Sequence, residues 1–112
     1  MAKIMKLTDA EGNEYTLQFN RKSIETMERQ GFKIGDLATY PATTFPALFR
    51  GAFIMHHKLV SANKIDKMFD ALPGKEALLE KLAEMYNEPL EALLNGNEDG
   101  AEGNAPKWEA NW

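Results

Sequence analysis

The side chains best suited to chemistry in this chain are two adjacent histidines, His56 and His57, and two groups of glutamates, Glu25/Glu28 and Glu80/Glu84/Glu88. Neighbours on a helix point about 100° apart, so His56 and His57 cannot grip one ion from a single helical face. A helical zinc site would need histidines four apart and a further ligand, which the sequence lacks. The glutamates recur at helical spacing, and carboxylates sharing a face can divide acid and base roles where a pocket separates their pKa values. Arg21, Arg29 and Lys81 lie close by in sequence, which reads instead as a solvated helix surface. Ser23 and Ser61 lie in no nucleophile-elbow pattern, and the glycines form no phosphate-binding loop. With no cysteine, thiolate metal sites, cysteine nucleophiles and disulfide scaffolds drop out. The expectation is a protein that is not an enzyme and uses no cofactor or metal.

Two other features could act on a partner. Residues 50–75 carry Arg50, Lys58, Lys64, Lys67 and Lys75 against Asp66 and Asp70, a local charge of +3. That stretch suits an acidic surface, but it lacks the aromatic residues that stack on nucleic-acid bases. From Asn97 onward the chain is glycine-rich and acidic, with a charge of -3, and it then ends Lys107-Trp108-Glu109-Ala110-Asn111-Trp112 with both tryptophans of the sequence. Tryptophan buries a large rigid surface and dominates many binding interfaces. This stretch reads as a tethered docking peptide, or as one whose Trp108 folds back on the domain.

The elements that must position these groups follow from composition and periodicity. The 112 residues are 44% hydrophobic and 27% charged, with a net charge of -4, the profile of one ordinary folded domain without a basic footprint for nucleic acid. Lys6 interrupts the only apolar run near the start, so no signal peptide is expected, and no run of about 18 apolar residues could span a bilayer. The reading is an intracellular protein with no membrane partner.

The fold class expected is α+β, mostly α. Alternation through Ile4, Leu7, Tyr15, Leu17 and Phe19 around Asp9-Ala10-Glu11-Gly12-Asn13 predicts a β-hairpin with strands near 3–8 and 14–19. Asn20 should cap a helix over 21–30 that stops at Gly31. Thr43 or Thr44 should cap the most apolar helix, with Pro46 in its first turn and Phe45, Leu48, Phe49, Ala52 and Phe53 on its inner face. Ser61 should cap a helix over 62–72, and Pro73-Gly74 should break it. A helix from Lys75 to about Asn87 should end before Pro89, which starts a short one over 90–94. Residues 1–96 would then form one globular domain and 97–112 a tail.

This order of segments resembles the small tail assembly chaperones of temperate tailed phages and prophages of Gram-positive bacteria. The residues that carry the likeness are Phe19-Asn20-Arg21-Lys22-Ser23-Ile24-Glu25-Thr26-Met27-Glu28 and Phe45-Pro46-Ala47-Leu48-Phe49-Arg50-Gly51-Ala52-Phe53, followed by Leu78-Leu79-Glu80-Lys81-Leu82-Ala83-Glu84-Met85-Tyr86 and Glu102-Gly103-Asn104-Ala105-Pro106-Lys107-Trp108-Glu109. The resemblance implies a chaperone in the bacterial host cytoplasm that binds the tape measure protein and recruits tail tube subunits. It also leaves room for self-association. Such a role needs apolar surface that can repack, and methionine supplies adaptable contact. The residues expected to contact protein partners are Phe49, Phe53, Met55, Met68, Met85, Trp108 and Trp112. The competing reading is a small adaptor or nucleic-acid-associated module that uses residues 50–75.

Overall fold

The computed structural model describes residues 3–95 and 109–112. Two strands, β1 (Met5–Thr8) and β2 (Glu14–Leu17), pair antiparallel, with Met5 opposite Leu17 and Leu7 opposite Tyr15. The turn between them is built on Asp9, whose carboxylate accepts hydrogen bonds from the amides of Glu11 and Asn13 at 2.9 and 2.8 Å. Gly12 turns there at φ +88°, open to glycine at no steric cost. Both strands are shorter than alternation alone predicts. Lys3 gives its amide to the Glu88 carboxylate, and Gln18 gives its amide to the Ala52 carbonyl, so both leave the ladder.

Among the described residues four helices follow: α1 (Arg21–Arg29), α2 (Pro41–Gly51), α3 (Ala62–Ala71) and α4 (Lys75–Asn95), with a 3₁₀ turn at Ile34–Leu37 between the first two. The α+β, mainly helical architecture with an N-terminal hairpin is therefore the observed one. Asn20 and Ser23 cap α1 reciprocally: Asn20 Oδ1 accepts from the Ser23 amide at 2.7 Å, and Ser23 Oγ accepts from the Asn20 amide at 3.0 Å. Ser61 Oγ accepts from the Lys64 amide and opens α3. Both serines act as helix caps.

Among the helices, two boundaries differ from the sequence-based expectation by more than one residue. Helix α2 begins at Pro41, not at a threonine cap, because proline's fixed φ suits the first helical position and its missing amide costs nothing there. Pro46 therefore lies inside the helix, and Thr44 is buried rather than capping. The second correction is that α4 runs unbroken through Pro89 to Asn95. An interior proline costs a helix roughly 3 kcal/mol. The buried Leu82, Met85 and Tyr86 before it and the half-buried Leu90 after it anchor both sides, and tertiary burial overrides the local cost.

The core gathers Leu7, Tyr15 and Leu17 of the hairpin with side chains of all four helices. Its aromatic spine runs from Phe45 through Phe69, Phe49 and Phe53 to Tyr15, with ring centroids 4.8–5.6 Å apart. A second group sets Tyr86 of α4 edge-on against Phe19 and Phe32. Among the described residues no buried side-chain polar atom lacks a hydrogen-bond partner. No helix among them is long and apolar enough to cross a membrane.

Candidate protein-binding surface

The structure separates the residues expected at a partner surface into three sets. Phe49, Phe53 and Met85 are core residues, at most 4% exposed, and cannot touch a partner without opening the domain. Periodicity marked them as apolar-face residues, and that face turned inward. Met55, just beyond α2, and Met68 of α3 are half-buried. Trp112 is fully exposed, while Trp108 lies outside the described residues.

The histidines are structural. His57 Nε2 accepts the Thr16 amide at 2.9 Å. Its ring sits edge-on to Tyr15 with centroids 5.2 Å apart. His56 Nε2 lies 2.8 Å from Gln18 Oε1. With the bond from Gln18 to Ala52, these contacts clamp the outer edge of β2 onto the turn after α2. The described residues contain no cluster of three potential metal ligands. Glu25 pairs with Arg29 and Glu84 with Lys81, as exposed helical neighbours do.

The basic stretch is also partly spent on the fold. Arg50 donates to Asp66 at 2.8 Å. Lys75 Nζ donates to the Leu72 carbonyl at 2.7 Å and lies 5.0 Å from the centre of the Phe69 ring. Those contacts hold α2 against α3 and close the turn into α4, leaving Lys58, Lys64 and Lys67 as the exposed cations of the stretch.

Surface features that composition could not reveal lie elsewhere. A largely apolar groove of about 580 Å³ runs between β1 with its turn and α3, with Leu7, Met68 and Leu72 in its wall and Lys64 and Lys67 beside it. At its turn end, the interaction of Lys64 with the Tyr15 phenol, ahead of the charges of Glu11 and Asp9, holds the Lys64 pKa above its ordinary value against partial desolvation. Partial desolvation pushes the Asp9 carboxyl up, but the amides and side chain of Asn13 and the amide of Glu11 outweigh it, and the net pKa is lowered. At the far end of α4, Leu93 and Leu94 are 53% and 82% exposed. With the half-buried Leu90 they occupy positions i, i+3 and i+4, so the core-facing stripe of α4 continues beyond the core. Tyr40 and Leu59 are further exposed apolar side chains on connecting turns. The exposed leucines at the end of α4 had a readable signal, the 3.6-residue period, but only the helix passing through Pro89 brings them into register.

No curated protein and no solved structure matches the chain. One family model does match, over residues 1–112, and the chain belongs to that family, the domain of unknown function DUF5055.

Proposed function

We propose that this protein is a phage tail assembly chaperone, which binds the tape measure protein and recruits tail tube subunits in the host cytoplasm. The sequence resemblance supplies the client. The observation that carries the reading is the apolar end of α4, where Leu93 and Leu94 extend a core-facing stripe into solvent. An unpartnered leucine stripe on a helix is the surface against which an amphipathic client helix packs. Met68, half-buried in the groove beside α3, adds adaptable apolar contact. The nucleic-acid alternative draws less support, because Arg50 and Lys75 are committed to internal contacts.

Co-expression with the tape measure protein tests this function. The expected result is a client that stays soluble and co-purifies only when this chain is present. A client equally insoluble with and without it would overturn the reading.

A further inference from the structure

Helix α4 changes character at Pro89. Before it, Leu82, Met85 and Tyr86 are buried, and Tyr86 packs edge-on against Phe19 and Phe32. Glu88 adds one more tie, because its carboxylate accepts the Lys3 amide at 2.7 Å. After Pro89, Leu90 alone packs against the core among the described residues, and it is half-buried. Glu91, Ala92, Leu93 and Leu94 are exposed, and none of them bonds to another element among the described residues.

The ladder of the helix has its gap at the same place. Pro89 has no amide to give to the Met85 carbonyl, and its ring crowds that carbonyl. Helix geometry joins residues 90–95 to the rest of α4 through three bonds, from the amides of Leu90, Glu91 and Ala92 to the carbonyls of Tyr86, Asn87 and Glu88. Tertiary fastening and the ladder therefore weaken together between Glu88 and Leu90. Fraying of an ordinary helix end would instead loosen residue by residue from Asn95 inward.

We propose that residues 90–95 form an arm hinged at Pro89, which opens as one unit and lifts Leu90 off the core to join Leu93 and Leu94 on the surface offered to a client. Six residues are too few to stay helical alone, so the open arm is unwound. Against an apolar client surface it regains its helix, and leucines at i, i+3 and i+4 then face the client together. While the arm is closed, Leu90 is engaged with the core, and only opening adds it to the exposed pair. A segment held by one half-buried side chain opens far more often than the whole domain unfolds. The hinge follows from α4 itself, whereas its use in capturing a client rests on the chaperone reading.

Backbone amide exchange on the full chain, followed by NMR, tests the hinge. The Ala92, Leu93 and Leu94 amides should share one opening, about a hundredfold or more less protected than the Leu82 amide. Pro89→Ala restores the missing amide and should slow all three by about tenfold or more. Leu90→Ala removes the anchor and should speed them by about fivefold or more. Protection that falls steadily toward Asn95, with Leu93 and Leu94 unaffected by Pro89→Ala, is the pattern of simple fraying and overturns the proposal. So does exchange of these amides only through global unfolding. In co-expression, Pro89→Ala should reduce the tape measure protein retained, because the open arm becomes rarer. Equal or greater retention would overturn the role of opening in capture. A client that the unmodified chain fails to retain would overturn the chaperone reading instead, and the exchange data would still decide the hinge.

Discussion

His57 reaches across the outer edge of β2 and accepts the backbone amide of Thr16 through Nε2 at 2.9 Å. Forty-one positions separate the two residues in sequence. The bond closes one edge of a two-stranded sheet, and such a hairpin is at best marginally stable alone. His57→Phe keeps an aromatic ring beside Tyr15 and removes the acceptor, which leaves a part-buried amide unpaired. The expected loss is about 1–3 kcal/mol in urea unfolding, with faster exchange of the Thr16 amide. An unchanged unfolding midpoint would mean that the imidazole adds no stability at this edge.

Gly51 in α2 lies directly against Met27 of α1, so a Cβ at position 51 would overlap the Met27 sulfur and terminal methyl. Met27 is 2% exposed and has little room to swing aside. Gly51→Ala should destabilise by about 1–3 kcal/mol through overpacking, reduced by a helix-propensity gain of up to about 1 kcal/mol. Combining it with Met27→Ala removes the obstruction. The double variant should then lose less than the sum of the single losses, a coupling readable by thermal or urea denaturation.

Burial of the Tyr86 phenol, with a smaller effect from the charge of Glu28, raises its pKa. The folded state thus favours the protonated phenol. Its contribution to stability is complete below the unfolded value of about 10 and is lost as pH rises through the higher folded value. The urea midpoint should therefore fall as the solution is taken above about pH 10. Tyr86→Phe should flatten that decline, and an equally steep fall in the variant would assign it to other groups.

Leu93 and Leu94 make little contact within the domain. Replacing both with glutamate should change stability by no more than about 0.5 kcal/mol per site, as for ordinary surface substitutions. Under the proposed function the same pair of changes should abolish retention of the tape measure protein in co-expression. Retention at the level of the unmodified chain would remove the α4 stripe from the binding surface.

Local rules in the sequence determined the hairpin, its Asp9–Gly12 turn, the Asn20 and Ser61 caps and the break at Pro73-Gly74, because turn chemistry and capping depend on residues within about four positions of each other. The α+β character followed from the same signals. Tertiary packing decided the rest. Pro89 reads locally as a helix boundary, yet α4 continues because Tyr86 before it and Leu90 after it are both held by the core. Phe49, Phe53 and Met85 carry the same apolar pattern whether they face a core or a client. Only the placement of β2 and α4 against α2 shows that they face inward. The turn after α2 covers the outer edge of β2 through the bonds of Thr16 to His57 and Gln18 to Ala52, and that long-range choice leaves no mark in the periodicity of the strand itself.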